Sequence, residues 1–190
     1  MISGHAVAAV RRLPPRTAFF YVMALALAVV RRDRFTLASA TRPDDLAALL
    51  DLAGESTSVA EIGTGPGWSS IALALAHPGR RIVSFDVVPR PAEHYARLVP
   101  RSVRERIRFV IGEGAGGAAG APEVDFVFID SSHQLEETIE TFEAWRPKLR
   151  SPGTVVFHDY GNPDFPGVEQ AVAQLGLAGQ TEGGVFVWRA

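Results

Sequence analysis

Four carboxylates, Glu61, Asp86, Asp130 and Asp159, each stand at or just beyond the end of a short apolar segment, with His133 and His158 close to the last two. Asp130 ends Val124–Ile129 and Asp159 follows Thr154–Phe157, so the two acids should surmount adjacent strands. Carboxylates held side by side repel each other unless a cation or a proton lies between them. Oxygen ligands of this type suit Mg²⁺ or Ca²⁺, with water and substrate oxygens completing the shell. The alternative is that Asp130 orients a substrate directly while Asp159 caps or pairs. His133 lies three residues past Asp130, and an imidazole with a pKa near 6.5 can take a hydroxyl proton close to neutral pH. His158 reads as an orienting neighbour, a ligand or a packed residue. His5, His77 and His94 have no such context. A Ser131–His133–Asp159 triad lacks the strained elbow that presents a nucleophilic serine.

The second group of chemistry-bearing residues is the run Glu61-Ile62-Gly63-Thr64-Gly65-Pro66-Gly67. It follows a strand and opens a helix, and glycine there permits positive φ and lets a ligand press against the backbone. Dinucleotide enzymes share such a turn, but their pattern needs a glycine or alanine at the sixth position, where this chain has Trp68. Asp86, directly after the second strand, can accept hydrogen bonds from both hydroxyls of a ribose. Together these features predict a nucleoside ligand.

The elements that must carry these residues alternate. Strands are expected at Ser58–Ile62, Arg81–Phe85, Ile107–Ile111, Val124–Ile129 and Thr154–Phe157, with a closing antiparallel strand at Val185–Trp188. Helices are expected at Thr41–Ala53, Trp68–Ala76, Pro91–Val99, Leu135–Leu149 and Val168–Leu175, and Gly112–Gly120 reads as a flexible loop. Alternation of this kind implies a mostly parallel sheet with right-handed crossovers, whose ligands lie beyond the carboxyl ends of the strands.

The bulk numbers bound the partners. The 190 residues fit a single domain, residues 41–190, preceded by a helical extension over residues 1–40 that covers substrate or contacts a second copy in a homodimer. A net charge of −2 gives no field for nucleic acid, and the short basic clusters Arg31–Arg34 and Arg101–Arg108 read as solvated helix faces. No cysteine is present, which removes thiolate and disulfide chemistry and agrees with a cytoplasmic protein. Ala18–Val30 is apolar but too short for the roughly 20 residues that cross a bilayer, so no membrane partner is expected.

The glycine run resembles motif I of class I S-adenosylmethionine-dependent methyltransferases, an acid followed by G-x-G-x-G. Phe128-Ile129-Asp130-Ser131-Ser132-His133 and Phe157-His158-Asp159-Tyr160 are similar to the I-D-x-x-H and H-D elements of its small-molecule O-methyltransferase branch. The resemblance implies a Rossmann-like doubly wound α/β fold with a seven-stranded sheet, helices on both faces and extra N-terminal helices. It implies that Glu61 helps to hold the cationic aminoacyl end of S-adenosylmethionine, that Gly63, Gly65, Gly67 and Asp86 bind the same cofactor, and that Glu113 sits beside its adenine. It implies Mg²⁺ on Asp130 and Asp159, as in catechol O-methyltransferase-like enzymes, and His133 as base toward an oxygen acceptor. The pattern is broken at Tyr160, where those enzymes carry a third metal ligand, Asn or Asp. A protein of this fold that binds the cofactor without methylating, and a nicotinamide-dependent oxidoreductase, are the alternatives.

Overall fold

Proline and acid placement set the first helices. A computed structural model describes residues 8–190; the first seven, His5 among them, lie outside it. Helix α1 (Pro15–Arg31) opens on a proline, whose missing N–H costs nothing in a first turn. It ends where Arg32 turns left-handed at φ 53° and returns its N–H to the carbonyls of Ala28 and Val29. The Arg31–Arg34 cluster is therefore a corner and not one continuous helix face. Asp33 then caps α2 (Arg34–Ser39), accepting from the Thr36 N–H at 3.0 Å and from the Tyr95 hydroxyl at 2.8 Å. Helix α3 (Pro43–Ala53) carries Asp44 and Asp45 in its first turn and stops at Gly54, φ 42°.

The remaining chain alternates as the sequence predicts: β1 (Ser58–Ile62), α4 (Trp68–Ala76), β2 (Arg81–Asp86), the short helices α5 (Ala92–Ala96) and α6 (Arg101–Arg104), β3 (Ile107–Ile111), α7 (Gly114–Gly120), β4 (Val124–Ile129), α8 (Leu135–Trp145), β5 (Leu149–Phe157), α9 (Pro166–Gln174), β6 (Gln180–Glu182) and β7 (Val185–Arg189). The seven strands form one sheet in the order β3-β2-β1-β4-β5-β7-β6. The first five run parallel, β7 is antiparallel to β5, and β6 is antiparallel to β7. Ile62 lies opposite both Phe85 and Ile129, and Ile129 opposite Phe157, so β1, β2, β4 and β5 end level with one another. This is a Rossmann-like, doubly wound sheet.

Alternate strand residues feed two cores, as the two-residue repeat of a strand requires. Val59, Phe126, Phe128 and Val156 pack with α1, α3 and α4. Ala60, Val127, Ile129 and Phe157 pack on the opposite face with side chains from α7, α8 and α9. No helix among the described residues is long and apolar enough to cross a membrane.

Three expectations need correction. Gly112–Gly120 is not a loop: Gly114–Gly120 is helical. Its glycines let it lie flush on the sheet, since a Cβ on Gly114 would stand 2.2 Å from Ile62 Cγ2 and one on Gly117 2.3 Å from Phe85 Cε1. Pro91–Val99 is broken into a five-residue helix and a turn, with α6 following Pro100. The helix from Leu135 ends at Trp145, a 3₁₀ turn covers Arg146–Lys148, and β5 begins at Leu149, ahead of Thr154.

Trp68 fastens α1 to the sheet. Its indole is buried and meets Phe20, Tyr21 and Tyr95 edge-on, with ring centroids 6.3, 5.0 and 5.6 Å away. Phe20, Tyr21, Ala24 and Ala28 are thereby drawn into the same core as α4. The indole N–H finds no acceptor, so the residue acts through packing alone. Trp68→Ala should lower unfolding stability by about 3–5 kcal/mol, and Trp68→Phe by much less, as read from denaturant midpoints.

Candidate active site

The level strand ends place the carboxyl-terminal loops around one cavity of about 1080 Å³, bordered by Gly63–Pro66, Asp86, Gly112–Ala115, Asp130–His133 and His158–Asn162. Helices α2 and α3 and the link between them close its side with Phe35, Asp45 and Thr41 respectively.

The glycine loop is pinned from both flanks. The Gly63 and Thr64 N–H groups donate to the Phe85 carbonyl at 2.8 and 3.1 Å. Gly63 passes so close to β4 that a Cβ would stand 1.8 Å from the Asp130 carbonyl oxygen, which excludes every other residue. Gly65, at φ 49°, faces open space where a Cβ would meet nothing within 4 Å. The loop thus offers bare backbone to whatever fills the cavity. Gly67, at φ 76°, leads into α4, and a Cβ there would collide with Ala92.

Asp86 lies across from this loop. Its Oδ2 accepts from the Gly65 N–H at 3.1 Å and from Arg90 Nε at 2.9 Å, and its Oδ1 from the Val88 N–H at 3.2 Å. The Arg90 guanidinium stacks over the Phe35 ring at 4.5 Å. Glu113 precedes the first turn of α7 and borders the cavity.

Glu61 is placed differently from the others. It is wholly buried beneath the glycine loop and does not border the cavity. The hydroxyls of Ser69, Ser70 and Ser84 donate to its carboxylate, and Ser69 does reach the cavity wall. Burial pushes the Glu61 carboxyl up to about 7, although the three serines oppose this; the Asp130 charge adds to the rise.

Beyond β4 and β5, four side chains converge. His133 Nε2 stands 3.3 Å from Asp130 Oδ1 and 3.1 Å from Asp159 Oδ2. His158 Nδ1 stands 3.0 Å from the same Asp130 oxygen and 3.3 Å from the same Asp159 oxygen. His133 and Asp159 both hold positive φ, 60° and 56°, a conformation that non-glycine residues keep only when their surroundings impose it. The His133 ring stacks on Phe165 at 4.4 Å. Asn162 Nδ2 donates to Asp159 Oδ1 at 2.8 Å, and His158 Nε2 lies 3.8 Å from Asp45 Oδ2. Burial pulls both imidazoles down, but the carboxylates outweigh it and push His133 up to about 9 and His158 to about 12. Burial raises Asp159 and Asp130, yet their histidine partners hold both below the usual carboxylate range. As a metal site, half of this donor set is imidazole. Magnesium prefers oxygen ligands and retains several waters, so the set fits Mg²⁺ poorly.

Sequence reasoning thus finds Asp130, His133 and Asp159 in one place, with Asp86, Glu113 and the glycine loop facing them. It underrates His158, whose signal is its position beside Asp159 at a strand end. It misses Asp45, visible in the sequence only as a helix-opening acid, together with Arg90, Phe35 and the serines around Glu61.

The sequence model of a methyltransferase domain matches residues 60–160. Methyltransferase ptaI of Pestalotiopsis fici is 27% identical over 128 residues, 64% of this chain and 37% of that protein, so the chain spans little more than a third of this relative. Among solved structures, an O-methyltransferase from Bacillus cereus in complex with SAH superposes with a TM-score of 0.69 at 17% identity, covering 86% of this chain and 88% of that one. The O-methyltransferase TomG from Streptomyces achromogenes, involved in tomaymycin synthesis and solved with SAM, gives 0.67 at 22% identity over 88% of both chains. These two likenesses concern the fold; the sequence match covers the glycine loop, Asp86 and the Asp–His cluster together, and by it the chain belongs to the methyltransferase-domain family.

Proposed function

We propose that this chain transfers the methyl group of S-adenosylmethionine to a hydroxyl of a small molecule. The observation that carries the reading is a single cavity with two unlike walls: bare glycine backbone, Asp86 and Glu113 on one side, and the Asp130–His133–His158–Asp159 cluster on the other. The first wall suits a nucleoside and the second an acceptor. SAH and SAM in the fold's neighbours support the same cofactor here. Asp86 would take the ribose hydroxyls, Gly63 and Gly65 the close backbone approach, and Glu113 the adenine edge, while Gly67, outside the cavity lining, would serve the turn that aims the loop. Glu61 would act on the cationic aminoacyl end through Ser69, since the carboxylate itself lies below the wall.

In the reaction the acceptor oxygen forms a bond to the methyl carbon while the carbon–sulfur bond breaks and its electron pair returns to sulfur. The acceptor's proton must leave, and His133 is the base we assign, acting once it has lost the proton that its two carboxylate neighbours hold up to about pH 9. Asp130 and Asp159 then hold the acceptor or a divalent cation. A net charge of −2 favours a small-molecule partner over nucleic acid, and the lack of cysteine supports a cytoplasmic location. Phe19, Val22, Met23, Val29 and Val30 form an exposed apolar stripe along α1, which supports a homodimer contact through this helix.

Three outcomes follow. Calorimetric titration should show micromolar binding of S-adenosylmethionine and S-adenosylhomocysteine, lost in Asp86→Ala; NAD binding in their place would overturn the cofactor. In a panel of hydroxylated acceptors, His133→Ala should lower the methylation rate by about 100-fold or more while S-adenosylhomocysteine still binds. A wild-type protein that binds cofactor and methylates nothing would favour a non-methylating role. Glu61, raised from 4.5 to about 7, binds its proton more tightly when folded. Its contribution to stability is therefore full below pH 4.5, falls as pH rises to about 7, and stays lost above. Glu61→Gln should flatten that slope and raise the melting temperature at pH 8, while weakening S-adenosylmethionine more than a cofactor analogue lacking the amino group.

A further inference from the structure

We propose that Asp130, His133, His158 and Asp159 form a binding site for a borderline divalent transition-metal ion, of the zinc, cobalt or ferrous class, and not for magnesium. The proposal deepens the cation part of the reading above but stands on the donor set, whatever the acceptor proves to be.

The geometry is the first support. Each of the four residues offers one donor atom, and all four lie within 4.8 Å of one another. The four nitrogen–oxygen separations run from 3.0 to 3.3 Å. Ion–donor bonds of about 2.0–2.2 Å set neighbouring donors roughly 2.8–3.5 Å apart, so one ion can reach all four with little movement. Hydrogen bonding alone explains the arrangement less well. His133 Nε2 points between two carboxylate oxygens and satisfies hydrogen-bond geometry with neither.

The second support is what surrounds the donors. Metal-bound histidines usually give their other ring nitrogen to a carboxylate or carbonyl, and ligating carboxylates are themselves hydrogen-bonded. Here His158 Nε2 faces Asp45 Oδ2 at 3.8 Å, and the free oxygen of Asp159 is held by Asn162. Stacking on Phe165 fixes the His133 ring, and positive φ at both His133 and Asp159 turns their side chains to one point. The chemistry of the set chooses the class of ion, since imidazole suits zinc, iron, cobalt and nickel, while magnesium takes oxygen. An ion on Nε2 and a proton taken by Nε2 use the same lone pair, so the base role given to His133 above belongs to the protein without the ion, and in the loaded protein His133 is a ligand.

The test uses the full chain, freed of metal by a chelator, with Co²⁺, Zn²⁺ and Mg²⁺ as probes. Co²⁺ should give the visible absorption of a four- or five-coordinate ion with nitrogen donors, displaced by an equivalent of Zn²⁺ and not by a large excess of Mg²⁺. His133→Ala and His158→Ala should each lose that spectrum, and Asp45→Asn should weaken Co²⁺ by about 10–100-fold. Circular dichroism and S-adenosylhomocysteine binding, followed in parallel, show that each variant is folded and keep this test separate from the methyl-transfer reading. Displacement of Co²⁺ by comparable Mg²⁺, with the histidine variants unchanged, would overturn the proposal in favour of an oxygen-only site. Absence of binding by any of the three ions to the folded protein would leave the cluster a network of ion pairs and overturn it as well.

Discussion

The site depends on one backbone contact. The Asp130 N–H donates to the Ile62 carbonyl at 2.7 Å, and the next residue on each chain leaves the sheet, Gly63 from β1 and Ser131 from β4. Because Gly63 has no Cβ, its loop passes against the Asp130 carbonyl, where any side chain would overlap it. The same edge continues to β5, where the His158 N–H donates to the Ile129 carbonyl. The glycine loop and the Asp–His cluster are therefore spaced by sheet hydrogen bonds and not by side-chain contacts. The proposed methyl transfer needs donor and acceptor in line and nearly in contact, and a spacing fixed by the sheet limits how far the two walls can move apart.

What could be read from the sequence follows from the same physics. Strands β1, β2, β4 and β5 are short runs rich in Val, Ile and Phe because both of their faces are covered; β2 ends in Asp86, and β4 and β5 are followed at once by Asp130 and His158. Asp130 and Asp159 are legible because a strand end in such a sheet is a position with a known direction. Helix α7 is not legible, for GAGGAAG has poor intrinsic helicity and is held by tertiary packing, including the Trp145 indole N–H on the Gly114 carbonyl at 2.8 Å. Asp45 and Phe35 enter the cavity from helices remote in sequence, and no local pattern marks them. The place of Glu61 depends on three serines, two of them on the following helix and one on the neighbouring strand. The motif gives its residue type and not its depth.

The two walls of the cavity solve the problem of burying charge in opposite ways. Glu61 stands alone among hydroxyls, which can accept as well as donate, so burial moves it toward the neutral form. Asp130 and Asp159 face two imidazoles, and all four groups are held in their charged states with formal charges that cancel. The first arrangement leaves a latent negative charge under the loop, which a cationic ligand above Ser69 would favour and thereby relieve part of the cost of burial. The second holds two protons that a divalent ion would displace, since metal ligands must be deprotonated. Cofactor binding would relieve part of the cost of burying an ionised Glu61, whereas the ion would have to displace two protons that the carboxylates hold tightly. Binding at either wall should thus be linked to pH, with opposite origins but the same sign: both ligands favour the less protonated site.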